Sequence, residues 1–233
     1  MIKAVIFDFD GIIADTEELH FTCLKDILYQ EEIFINRQTY DEIYLALDDK
    51  NCFKRAFATA KSKELSHQEI EELVKRKANL LQSNLTEVKL FSGTSEWIKK
   101  HASEVLLGIC SGALHREITQ VLSKHSLLEY FAVIVTAEDV EQSKPSPEGY
   151  LLALQRLQEI SGRHISPSEC LVIEDSVAGI EAAKAARMYC AAITNSYSRE
   201  KLCQADVIFD SILELSLERL DIQLRPPDIL PSG

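Results

Sequence analysis

The sequence predicts an α/β protein: a doubly wound, mostly parallel sheet covered by helices on both faces, with a small all-helical domain inserted after the first strand. Three observations lead there. Short apolar, strand-like runs alternate with segments whose apolar residues recur every three or four positions. Strands that alternate with helices imply parallel pairing, because each return to the same end of a sheet needs a crossover. The alternation breaks once, between about residues 15 and 86, where no convincing strand occurs.

The first strand is read over Lys3–Phe7 and runs into Asp8-Phe9-Asp10-Gly11. In extended backbone, residues i and i+2 point to the same side, so Asp8 and Asp10 project together where the strand ends. Two adjacent acids repel and call for a cation or a shared proton. Gly11 lets the chain turn sharply out of the strand. The helical stretch follows, as Thr16–Gln30, Arg37–Leu47, Cys52–Lys61 and Ser66–Asn84. Ser66-x-x-Glu69 is a capping-box signature for the last of these. Such an insertion reads as a lid over the strand ends, entered near Ile12–Asp15 and left near Asn84–Phe91.

Beyond it the strands are Val105–Cys110, Ala132–Val135, Leu171–Ile173, Cys190–Ile193 and Val207–Phe209. The helices between them are Ser95–His101, Leu114–Lys124, Pro147–Ile160, Val177–Ala186 and Arg199–Cys203. Ile118, Val121 and Leu122 show the helical spacing, and Pro147 suits a first helical turn. The expected organisation is a core of residues 1–14 plus 87–225, a helical cap over 15–86, and a loose proline-bearing tail over 226–233.

Composition narrows the function. A net charge of −12 offers no dominant basic surface, which argues against a nucleic acid or an acidic membrane as partner. The small basic run Lys75-Arg76-Lys77 reads as a solvated helix face. No apolar run reaches the ~18–20 residues of a membrane span, and the N-terminus enters a strand without a signal-peptide segment. The six cysteines are scattered without a Cys-x-x-Cys and read as buried hydrophobes in a reducing cytoplasm. The six histidines show no metal-ligand spacing. A monomer is expected.

Ligands of open α/β sheets bind outside the carboxyl ends of the strands. After the first strand come Asp8 and Asp10; after the second, Ser111-Gly112; after the third, a loop with Lys144-Pro145; after the fourth, Glu174-Asp175-Ser176. Each has a structural alternative. Ser111 reads equally as a helix N-cap, Lys144 as a solvated loop lysine, and Glu174-Asp175 as caps of the next helix. Their joint placement at one sheet edge points to a site.

With those residues in place, the sequence resembles the haloacid dehalogenase-like hydrolases. The matching motifs are Asp8-Phe9-Asp10-Gly11, Ser111, Lys144 and Glu174-Asp175, in the family's order. The resemblance covers nearly the whole chain and implies a Rossmann-like core. It is closest to the branch with a small helical cap that holds β-phosphoglucomutase and many sugar-phosphate and phosphoglycolate phosphatases. Asp15-Thr16-Glu17, His20, Ser143-Lys144-Pro145-x-Pro147 and Glu174-Asp175-Ser176-x-x-Gly179 are typical of it.

The resemblance implies roles. Asp8 is the nucleophile that forms an aspartyl-phosphate, and Asp10 the general acid and base. Magnesium is the implied cofactor, held by the Asp8 carboxylate, the Asp10 main-chain carbonyl and Asp175, with Glu174 either a further ligand or an orienting partner. Lys144 supplies fixed positive charge, and Ser111 donates to a phosphoryl oxygen beside Gly112. Glu17 and His20 lie on the first cap helix, facing the cleft or its hinge. For Glu17 the alternative is a first-turn acid stabilised by the helix N-terminus; for His20 it is a packing histidine.

The implied activity is a phosphatase acting on a small phosphorylated metabolite, of the sugar-phosphate or phosphoglycolate type. A phosphosugar mutase shares the same core motifs. The β-phosphoglucomutases carry a glycine- and arginine-bearing loop in the cap. The matching region here, residues 45–51, contains Asp48 and Asp49 but neither glycine nor arginine. A non-catalytic regulatory member of the fold, a reading of a different class, would lack Asp8, Asp10 or the acidic pair, and all are present.

Overall fold

Strand β1 (Ala4–Phe7) is apolar at all four positions and fully buried, which suits a strand flanked by neighbours and covered on both faces. A computed structural model describes residues 1–45, 47–85 and 88–223. The chain divides into two compact units, one built from Met1–Ala14 with Leu90–Gly233 and the other from Asp15–Lys89. The expected boundary at residues 86–87 and the tail 226–233 lie outside the described residues.

β1 leads to a tight turn and the short β2 (Ala14–Asp15), which pairs with β3 (Lys89–Leu90) in a two-stranded sheet. The unit between them holds α1 (Glu17–Gln30), the single turn α2 (Arg37–Thr39), α3 (Asp49–Lys61) and α4 (His67–Asn84). Phe21, Leu24, Ile27 and Leu28 of α1 share a core with Tyr40, Phe53, Phe57 and Leu73. The spacing that predicted helices thus fills one common interior. The capping box of Ser66 and Glu69 opens α4 as expected.

Two expectations are corrected in this unit. Arg37–Leu47 is not one α-helix: after α2 the chain widens into a π-turn over Tyr40–Tyr44, with Leu45 N–H donating to the Tyr40 carbonyl. Nor is the basic run a solvated face throughout. Lys75 is exposed, but Lys77 falls on the buried stripe with Ile70, Leu73 and Leu81. Its ammonium is paired with Asp49 and lies 3.1 Å from His20 Nδ1, and that pairing makes its burial tolerable.

The larger unit continues with α5 (Thr94–His101), β4 (Leu106–Cys110), α6 (His115–Lys124) and β5 (Val133–Val135). It is completed by α7 (Glu148–Ser161), β6 (Cys170–Glu174), α8 (Val177–Ala185), β7 (Tyr189–Ile193), β8 (Val207–Phe209) and α9 (Leu217–Gln223). The sheet order is β5-β4-β1-β6-β7-β8, and every adjacent pair is parallel. The chain leaves β1 toward β4 and β5, then returns to the other side of β1 for β6 onward, so the topological switch lies at β1. Ala4 and Ile6 join a core with Tyr150, Leu157, Val172 and Ile180. Phe7 points to the opposite face, edge-on to Trp97 at 5.5 Å and Phe131 at 5.8 Å.

The expected helix over Arg199–Cys203 is instead a series of turns after Ser198, since five residues scarcely exceed the cost of one helical nucleus. No helix of the described residues is long and apolar enough to cross a membrane. All six cysteines are free thiols, five buried and Cys203 exposed.

Candidate active site

The register of the sheet places the predicted residues. Phe7 is level with Ile109 on one side and Ile173 on the other. Asp8, Cys110-Ser111 and Glu174-Asp175 therefore emerge at the same edge, at the switch point. Asp8 N–H donates to the Ile173 carbonyl at 2.9 Å, carrying the pairing one residue past β1. The chain then closes on itself: the amides of Ile13 and Ala14 donate to the Phe9 carbonyl at 2.9 and 3.0 Å. Gly11 sits in this turn at φ +78°. A Cβ there would lie 1.8 Å from Asp175 Oδ2, so the backbone and that carboxylate are in direct contact. Ile12 and Ile13 are buried packing residues. Asp10 is half-buried, near enough to push the Asp8 carboxyl up.

Lys144 is the cation of the group. Its ammonium is 2.9 Å from Asp8 Oδ1 and 2.6 Å from Glu174 Oε1, and lies over the Tyr150 ring. This excludes the solvated-loop alternative. Glu174 is wholly buried and collects hydrogen bonds on both oxygens. Oε1 accepts from Lys144 and from Tyr150 Oη at 2.8 Å; Oε2 accepts from the amides of Asp175 and Ser176 at 3.0 Å and from Ser176 Oγ at 2.9 Å. Five donors fill the ~four lone-pair sites of a carboxylate. The cap of α8 is Ser176, whose hydroxyl accepts from Gly179 N–H, so Glu174 and Asp175 are spared that task.

Asp175 is buried and accepts from Ser196 Oγ. Asp8, Glu174 and Asp175 each offer an oxygen within 4.8 Å of the others. The charges divide unequally. Burial raises the Asp8 carboxyl to about 7, against Lys144 and with help from Glu174 and Asp10. Burial, Glu174 and Asp8 hold the Asp175 carboxyl well above its ordinary range. Burial also works on Glu174, but Lys144 and the hydrogen bonds from Lys144, Tyr150 and Ser176 outweigh it and keep that carboxyl low. The Lys144 ammonium is held well above its usual value by Asp8 and Glu174, against burial.

Ser111 is buried, and its Oγ accepts from Ala113 N–H at 3.1 Å. Helix α6 starts only at His115, so Ser111 is not its cap. Gly112 is exposed, and nothing lies within 4 Å of where its Cβ would stand. Glu17 and His20 belong to the helical unit. Glu17 hydrogen-bonds Tyr40, and His20 lies beside Lys77.

The structure therefore gathers Asp8, Asp10, Lys144, Glu174 and Asp175, with Ser111 on the adjacent strand end. Sequence reasoning named Ser176 without a role and missed Tyr150, Asn195 and Ser196. Ser176 and Gly179 carried a signal in the motif after Asp175; the others reach the site from a helix face and a loop and carried none.

Comparison with known proteins agrees in family and fold. The sequence profile described as haloacid dehalogenase-like hydrolase matches residues 5–193. The chain is 30% identical over 224 residues to the β-phosphoglucomutase of Bacillus subtilis (strain 168), covering 94% of each chain. It is 26% identical to the validoxylamine A 7′-phosphate phosphatase of Streptomyces hygroscopicus subsp. limoneus, over 92% of this chain and 96% of the other. Among solved structures it resembles CbbY from Rhodobacter sphaeroides in complex with phosphate, with a TM-score of 0.82, 26% identity, and coverage of 95% and 100%.

Proposed function

The chain belongs to the haloacid dehalogenase-like hydrolase family, and on that footing we propose that it is a magnesium-dependent phosphatase that hydrolyses a small phosphorylated metabolite, of the sugar-phosphate or phosphoglycolate type, in a reducing cytoplasm. The observation that carries this reading is the seat of Asp8. A buried carboxylate at the switch point touches one ammonium and stands among further acids.

Asp8 attacks phosphorus, forming a P–O bond to its carboxylate as the bond to the leaving alcohol breaks. Asp10 hands its proton to the departing oxygen, then takes one from the water that splits the aspartyl-phosphate and returns Asp8 to its starting form. Lys144 holds Asp8 in one rotamer and offsets charge on the phosphoryl oxygens. Ser111, released from the Ala113 amide or sharing it, donates its hydroxyl proton to a phosphoryl oxygen.

The residues fit a hard divalent cation. Three carboxylates offer oxygens within 4.8 Å of one another, and Lys144 pairs with two of them, Asp8 and Glu174, an arrangement rich in the oxygen donors that magnesium requires. The Asp8 carboxylate, the Asp10 main-chain carbonyl and Asp175 would hold it. Glu174, with its lone pairs filled, serves as the orienting partner. When bound, the ion polarises the phosphoryl group and offsets its repulsion from Asp8.

A phosphosugar mutase remains the second reading, favoured by the likeness to β-phosphoglucomutase. Against it, the acids at the start of α3 are committed. Asp48 caps the helix through the Asn51 amide at 2.8 Å, and Asp49 takes the charge of Lys77. The deciding experiment is phosphate release from a panel of phosphorylated metabolites, with and without magnesium, including β-glucose 1-phosphate coupled to glucose 6-phosphate detection. Magnesium-dependent phosphate release supports the phosphatase. Glucose 6-phosphate with little free phosphate establishes the mutase instead.

A further inference from the structure

The loop after β7 reaches back into the site from the neighbouring strand. Its outer end is fixed: Thr194 N–H donates to the Phe209 carbonyl at 3.0 Å, and Thr194 Oγ1 to Asp210 Oδ1 at 3.1 Å. The next two residues bond toward the site, Asn195 from an exposed position and Ser196 from a half-buried one. Asn195 Nδ2 donates to the Gly11 carbonyl at 2.6 Å. Ser196 Oγ donates to Asp175 Oδ2. The contact surface is tight on both sides, since a Cβ on Gly11 would stand 1.8 Å from Asp175 Oδ2 and 3.0 Å from Ser196 Oγ. The Asp175 carboxylate is thus clasped between the Gly11 backbone and the Ser196 hydroxyl, while Asn195 fixes the turn that follows Asp10.

We propose that Ser196 is a positioning residue for the divalent cation, acting through Asp175, with Asn195 holding the opposing wall. The inference rests on the proposed function, because it assumes that Asp175 is a ligand. Its chemistry is that of an outer hydrogen bond. A carboxylate free to rotate must give up that freedom on coordination, and the hydroxyl has already restricted it. Groups in such positions are worth ~10–100-fold in metal affinity. A threonine keeps the hydroxyl; an alanine removes it with little change in volume.

The test is calorimetric titration of the full chain with magnesium alone, without substrate, on wild type, Ser196→Ala, Ser196→Thr and Asp175→Ala. Expected are measurable binding by wild type, its loss in Asp175→Ala, a ~10-fold or greater weakening in Ser196→Ala, and recovery in Ser196→Thr. The magnesium concentration for half-maximal phosphate release should shift in the same order. Wild-type affinity in Ser196→Ala, with Asp175→Ala impaired, overturns the inference and leaves the proposed function standing. An equal loss in Ser196→Thr and Ser196→Ala also overturns it, since packing of the loop would then be the cause. Absence of magnesium binding by wild type, together with absence of phosphate release, overturns the proposed function itself and this inference with it.

Discussion

Replacement of Gly179 by alanine separates two physical effects of opposite sign. Gly179 lies in the first turn of α8. Helix propensity alone predicts that alanine stabilises there by ~1 kcal/mol. The site predicts the reverse. A Cβ on residue 179 would stand 1.7 Å from Glu174 Oε1, 1.9 Å from its Cδ and 2.3 Å from Oε2. Those atoms are the end of a side chain that elsewhere would swing aside. Here they are wholly buried and held by Lys144, Tyr150, Ser176 and two amides. Displacing the carboxylate separates a buried ion pair, a loss of ~3–5 kcal/mol. The net expectation is destabilisation by ~2–4 kcal/mol, once the propensity gain is subtracted. Denaturant unfolding followed by the fluorescence of Trp97, the chain's single tryptophan, reports on this unit. Phosphate release should fall with it, because Lys144 loses one of its two anchors. A Gly179→Ala protein as stable as wild type, or more so, would refute the idea that Glu174 is rigidly seated.

Asp8→Asn should abolish turnover with the fold intact; a variant that still releases phosphate removes Asp8 as nucleophile. The same substitution has a pH signature. The folded protein raises the Asp8 carboxyl from an ordinary ~3.9 to about 7. Asp8 therefore adds stability below the ordinary value, as the acid, and loses it as pH rises toward 7. Without metal, the melting temperature of Asp8→Asn relative to wild type should increase between pH 5 and pH 8; a constant difference contradicts the raised value. Ser66→Ala removes the capping box of α4 and should destabilise the helical unit by ~1 kcal/mol, read as an earlier loss of helical circular dichroism; an unchanged transition shows that the cap is dispensable.

What the sequence made legible follows from how each residue is held. Asp8, Asp10, Glu174 and Asp175 lie where apolar strands stop, so the strand pattern located them directly. Lys144 was readable because it follows the third core strand in a loop that order alone brings to the same edge. The partners of Glu174 were not readable. Tyr150 looks like one more apolar residue of α7, and only the packing of α7 against the sheet turns its hydroxyl toward the acid. Lys77 was misread for a related reason. A charge in an apolar stripe signals exposure unless its counter-charge is known, and Asp49 lies in another helix. The π-turn at Tyr40–Tyr44 buries two tyrosines four residues apart, the spacing an ordinary helix would also show, and so has no clear pattern of its own.

The acids of the site divide into two kinds, and the division explains how it can be both built and reactive. Glu174 is the permanent anion: its carboxyl is held low, its lone pairs are filled, and its main task is to fix Lys144. Asp8 and Asp175 bear the unfavourable share: burial, Glu174 and Asp10 push the Asp8 carboxyl up, and burial, Glu174 and Asp8 push up that of Asp175. Environments that drive neighbouring carboxyls apart in this way assign them different work. The pair left strained is the pair that gains most from a cation. A dianionic phosphoryl group arriving first would make the two crowded acids still costlier to ionise. Arriving after a cation, it would meet Lys144 and a neutralised wall. On the proposed function, the same crowding that makes these acids costly to ionise is what a cation between them would relieve.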